Sequence, residues 1–94
     1  MLNDQEIARA LARLPAWRRE GDTLARTITV PGGMAEAAAF VTRLVAAADR
    51  ANHHPDITIS WNRVSVTWTT HDAGGITALD LELAAATDSL ADEG

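Results

Sequence analysis

The sequence contains no cysteine and no lysine. Without thiols there are no disulfides, no thiol catalysis and no cysteine-ligated metals. Positive charge is scarce: eight basic residues, all arginine, face thirteen acids, for a net charge of −5. That balance opposes binding to a phosphate backbone, which needs a basic footprint, so no nucleic-acid partner is expected. No apolar run approaches the roughly 18 residues of a membrane span, so no membrane partner is expected either. The opening stretch Met1-Leu2-Asn3-Asp4-Gln5-Glu6 is polar and acidic, unlike a secretion signal. Together these exclusions lead us to expect a cytoplasmic protein.

What is present fits one domain spanning residues 1–94. Hydrophobic residues make up 47%, but 19 of those 44 are alanine, leaving 25 larger apolar side chains for one modest two-layer core. Asn3 with Glu6 three residues on has capping-box spacing, and Ile7, Leu11 and Leu14 follow at helical intervals up to Pro15. Trp17 to Glu20 is a short strand candidate, Glu20-Gly21-Asp22 a turn, and the alternation from Leu24 to Val30 a second strand. After Pro31-Gly32-Gly33, the positions Met34, Ala38, Val41, Leu44, Val45 and Ala48 mark one face of a long helix. It should end near Asn52, because Pro55 disfavours helical geometry at His54. Ile57, Ile59 and Trp61 alternate, as do Val64, Val66 and Trp68, with Asn62-Arg63 expected as a two-residue hairpin loop. Thr77 is a good N-cap for a last helix, with Asp80 at the third helical position.

The order α-β-β-α-β-β-α predicts an α+β two-layer sandwich: a four-stranded antiparallel sheet with helices on one face. The other face would carry Thr23, Ala25, Thr27, Thr29, Thr58, Ser60, Ser65, Thr67 and Thr69. It is small, hydroxylated and uncharged, which suits either a solvent-washed face or a pocket or subunit contact.

Histidine is the side chain suited to proton transfer near neutral pH. His53 and His54 follow the long helix, and His71 follows the fourth strand. With Asn62-Arg63 as the loop, Trp61 faces Val64 and Ile57 faces Trp68, and extending that register places His54 opposite His71. Asp49 lies four residues before His53, so a carboxylate on the same helix face would orient that imidazole. A His₃ zinc site is the competing use of three imidazoles. However, adjacent His53 and His54 diverge on extended backbone, and no spacing supports a metal motif. Serine nucleophile chemistry has no elbow motif, and the glycine pairs lack the flanks of a phosphate loop. Paired histidine acid and base, without nucleophile or metal, suit an elimination that shuffles protons.

Asp49-Arg50-Ala51-Asn52-His53-His54-Pro55, then Trp61-Asn62, then Thr69-Thr70-His71-Asp72 and Asp80, closely resembles the signature of pterin-4a-carbinolamine dehydratases. That signature has an acid four residues before His-His-Pro, an aromatic, a His ten residues after it, and an Asp beyond. The resemblance covers roughly residues 14–90, with Trp17, Glu20-Gly21-Asp22, Leu24 and Arg26 near its start and Gly74-Gly75-Ile76-Thr77 near its end. It departs from many relatives in lacking aromatics across Ile28, Val30 and Pro31-Gly32-Gly33.

The resemblance implies dehydration of 4a-hydroxytetrahydropterin to quinonoid dihydropterin, in dimers or tetramers, with no metal and no organic cofactor. It implies acid–base work by His53, His54 and His71, with Asp49 in support, and a pterin site lined by Asn52, Thr69, Thr70 and Asp72. His53 and His71 are expected as the acid–base pair and His54 as the residue orienting the pterin. Asp80 matches the signature, but its capping position favours a structural role. The alternative function is a non-catalytic interaction module, since some dehydratase relatives serve as transcription-factor dimerisation partners or enzyme assembly factors.

Overall fold

The computed structural model describes residues 1–93; Gly94, the end of the expected domain, lies outside the described residues. Asn3 opens the first helix, α1 (Asp4–Leu11). Its side chain accepts the Glu6 N–H at 2.9 Å, and the Glu6 carboxylate accepts the Asn3 N–H at 3.0 Å. Two donors that a helix start leaves orphaned are thereby satisfied. Strands β1 (Arg18–Glu20) and β2 (Thr23–Thr29) follow, reversing at Gly21, whose φ of 59° suits a residue without a Cβ. Helix α2 (Met34–Ala51) starts at Gly33, whose N–H donates to the Glu36 carboxylate at 2.7 Å. Strands β3 (Asp56–Ser60) and β4 (Arg63–Trp68), a 3₁₀ turn at His71–Ala73 and helix α3 (Ala78–Asp92) complete the expected order.

The strands form one antiparallel sheet in the order β1-β2-β4-β3. Leu24 lies opposite Trp68, and Ile28 opposite Val64. These side chains, with Val66, meet Phe40, Leu44 and Ala48 of α2, Leu83 and Ala84 of α3, and Ile7 of α1 in one buried cluster. Each large apolar side chain so removed from water contributes ~1.5–3 kcal/mol. Arg26 shares this inner face and forms an ion pair with Asp88 of α3. Asp88 Oδ1 also accepts the Trp17 Nε1–H at 2.8 Å, which ties the chain before β1 to α3. On the opposite face Thr27, Thr29, Thr58 and Ser60 are exposed, whereas Ala25 is buried.

Two sequence expectations are corrected here. The buried stripe of α2 is Ala37, Phe40, Leu44 and Ala48, not the one through Met34 and Val45. An alanine-rich helix offers two apolar stripes, and the one carrying Phe40 buries the larger ring. Met34 and Val45 are left exposed, as are Ile59 and Trp61 on the β3–β4 hairpin. The hairpin loop is Trp61-Asn62 rather than Asn62-Arg63, because Arg63 pairs with both Ser60 and Thr29. Asn62 is claimed by the end of β2: its carbonyl accepts the Val30 N–H at 2.8 Å, and its Nδ2 donates to the Val30 carbonyl at 3.1 Å. Trp61 therefore takes the left-handed position, with φ of 56°. For a bulky residue that conformation costs on the order of 1 kcal/mol.

Candidate active site

The hairpin shift moves the register by two residues: Ile57 lies opposite Val66, not Trp68. The expected pairing of His54 with His71 is therefore not made. The two segments meet all the same, because the chain turns sharply at both ends of the hairpin. Helix α2 stops at Asn52, which adopts left-handed geometry (φ 50°, ψ 42°) and closes the helix with its N–H on the Ala48 and Asp49 carbonyls. Asparagine tolerates this conformation better than most residues. At the other end, Thr70 and Gly75 pair across a tight loop that projects His71 and Asp72. The loop is pinned from outside by the Leu2 N–H on the Ile76 carbonyl, at 2.9 Å, and by the Thr69 hydroxyl on the Asp22 carbonyl, at 2.6 Å.

Asn52, His53, His54, Thr69, Thr70, His71 and Asp72 line one cleft of about 200 Å³. Every residue expected at the site is there except Asp49, which stands behind His54. A larger cleft of about 430 Å³ lies between α1 and α3. Its polar side chains are the exposed Glu6, Arg9 and Arg13, and the three histidines line the smaller cleft instead.

The pairing of carboxylates with imidazoles differs from expectation. Asp49 does not hold His53; its Oδ1 lies 2.7 Å from Nε2 of His54, with both side chains largely exposed. His53 Nε2 instead lies 2.6 Å from Oδ1 of Asp80, with 13% and 0% of the two side chains exposed. The reason is Asn52. Four-residue spacing shares a face only while the helix continues, and the left-handed residue turns His53 inward and brings His54 back over Asp49. Asp80 does occupy the third position after the N-cap Thr77, accepting its N–H at 2.9 Å. It also accepts the Thr70 hydroxyl at 2.8 Å, and the Thr77 hydroxyl lies 2.9 Å from that of Thr70.

Asp80 therefore both caps α3, as expected, and holds His53, which was not expected. Thr70 spends its one hydroxyl hydrogen on Asp80, so toward the cleft it offers only acceptor capacity. His71 is exposed, and its ring forms no hydrogen bond among the described residues. Among the described residues, no group of three or more His, Asp or Glu side chains is spaced to hold a metal ion. No helix there is long and apolar enough to cross a membrane.

Comparison with known proteins identifies the family and the fold. Residues 1–90 match the family model described as pterin 4 alpha carbinolamine dehydratase. A Thermosynechococcus vestitus protein named pterin-4-alpha-carbinolamine dehydratase is 49% identical over 90 residues, covering 96% of this chain and 94% of that protein. A Nocardia farcinica protein of the same name is 48% identical, covering 97% and 95%. The solved structure of a transcriptional coactivator/pterin dehydratase from Brucella melitensis superposes with a TM-score of 0.90 at 28% identity, covering 96% of this chain and 97% of that one.

Proposed function

This chain belongs to the pterin 4 alpha carbinolamine dehydratase family, and from that premise we propose that it removes water from a 4a-hydroxytetrahydropterin to give a quinonoid dihydropterin. The observation that carries the reading is one cleft lined by three imidazoles from two separate segments. The reaction breaks the bond between C4a and the hydroxyl oxygen. That oxygen takes a proton from an imidazolium and leaves as water. The neighbouring ring nitrogen forms the C=N double bond and gives its proton to a neutral imidazole. Two histidines suffice for both transfers, and no electron changes hands. His53 and His71 are the pair in this reading, with His54, steadied by Asp49, orienting the pterin. Asn52, Thr69, Thr70 and Asp72 supply polar edges for the heterocycle.

The same reading makes all 94 residues one dehydratase domain working in the cytoplasm as a homodimer or homotetramer. Support for assembly comes from the exposed apolar side chains Met34, Val45, Ile59 and Trp61, which lie on α2 and the adjacent hairpin. Large apolar residues exposed on neighbouring elements are candidates for a subunit contact. The rival reading, a non-catalytic interaction module, rests on the coactivator part of the Brucella protein's name. The complete imidazole set favours the enzyme. The deciding experiment adds the purified protein to a 4a-hydroxytetrahydropterin in the presence of a chelator and follows quinonoid dihydropterin by absorbance. Accelerated dehydration is expected; a rate equal to the uncatalysed one, or one restored only by zinc, would overturn the proposal.

A further inference from the structure

Asp80 is the one acidic side chain wholly removed from solvent among the described residues. A helix cap does not require this. An exposed Asp or Ser would cap α3 as well, whereas burying a carboxylate is costly unless it is paired. What the burial adds is the contact with His53. We propose that Asp80 is a positioning residue that makes Nε2 of His53 the donor nitrogen and leaves Nδ1 as the nitrogen that exchanges protons with substrate. The inference rests on the dehydration proposed above.

Carboxylate oxygens only accept, so the 2.6 Å contact requires a hydrogen on Nε2. Nδ1 has no protein partner, yet among the described residues no buried side-chain nitrogen or oxygen lacks one. Nδ1 is therefore open to the cleft that His53 lines. The ring's remaining freedom is limited by stacking on Trp68. With Nε2–H tied to Asp80, His53 can carry or lose a proton at Nδ1 without changing its contact with the protein. The same carboxylate receives the hydroxyl of Thr70, the residue before His71. One buried group thus anchors both segments that bring imidazoles to the cleft.

Asparagine at this position tests the assignment sharply. Oδ2 of Asp80 is met by the Thr70 hydroxyl and the Thr77 N–H, with the Thr77 hydroxyl farther off at 3.5 Å. In Asp80→Asn the amide oxygen must take that place, which turns the amide NH₂ toward His53. Nε2 then has to accept, and the neutral ring carries its proton on Nδ1. A carboxylate-to-amide change behind a catalytic histidine traps the wrong tautomer in this way.

The experiment combines long-range ¹H–¹⁵N NMR of the His53 ring with kcat and KM for a 4a-hydroxytetrahydropterin, on wild type and Asp80→Asn. The expected result is a neutral ring protonated at Nε2 in wild type and at Nδ1 in the variant. With it, kcat should fall ~10²–10⁴-fold while KM stays within about threefold. A wild-type neutral ring protonated at Nδ1, or a variant that keeps either its tautomer or its kcat, would overturn the proposal. The wild-type spectrum decides even if the variant does not fold. It also separates this inference from the function: a protein that fails to dehydrate the pterin sinks the reaction, while the ring still reports whether Asp80 sets its tautomer.

Discussion

The imidazole of His53 stacks on the indole of Trp68, with ring centroids 5.7 Å apart and planes 16° from parallel. Trp68 is fully buried, and its Nε1–H donates to the Thr87 hydroxyl at 3.1 Å, which in turn donates to the Leu83 carbonyl at 2.7 Å. The proposed catalytic ring therefore rests on an aromatic surface locked to the middle of α3. Trp68→Phe keeps an aromatic surface but loses the hydrogen bond and the volume of the second ring. It should lower the urea unfolding free energy by about 1–3 kcal/mol and leave kcat within a few-fold. Trp68→Leu removes the aromatic support as well, at about 2–5 kcal/mol, and kcat should fall at least tenfold. Equal turnover in the two variants would show that the stack does not matter to the chemistry.

The histidines should separate by stability as well as by rate. His53→Ala leaves a buried carboxylate without one of its hydrogen-bond partners, a loss of about 1–3 kcal/mol. His71→Ala touches nothing in the fold and should stay within ~0.5 kcal/mol of wild type. Both should lower kcat ~10²–10⁴-fold. His54→Ala and Asp49→Asn act on an exposed pair worth little to stability, and both should raise KM more than they lower kcat. Denaturant melts beside steady-state kinetics check all four, and a stable His53→Ala protein would argue against the buried pairing.

Assembly has its own test. Sedimentation at micromolar concentration should show a species heavier than the 10.0 kDa chain. Val45→Glu places a charge among the exposed apolar side chains and should return the protein to monomer with its helix content intact. A wild-type protein that sediments only as monomer removes the case for a homo-oligomer.

The features legible in the sequence were those decided within a few residues. Asn3 with Glu6 and Thr77 with Asp80 are local patterns, and both helices begin where those patterns place them. The strand alternation was equally readable, and with it the fold. The misreadings were long-range. The loop moved to Trp61 because Val30, some thirty residues away, holds Asn62. The buried stripe of α2 was decided by what the sheet offered it. The imidazole pairings turned on one left-handed residue, Asn52, which no periodicity registers. The residues lining the cleft could still be grouped from the sequence because the register shift moved side chains by only two positions, within the reach of a single cleft.

The position of Asp80 in the first turn of α3 has a consequence for fluctuations. Helix ends fray, and a local opening of this turn need not unfold the sheet. Here, though, the Thr77 amide, the Thr70 hydroxyl and the His53 ring all lose their common acceptor together when the turn opens. In the proposed mechanism a molecule frayed at the start of α3 no longer holds the His53 ring on Asp80. The exchange rate of a single backbone amide, that of Thr77, should therefore report the fraction of molecules in which that hold is lost.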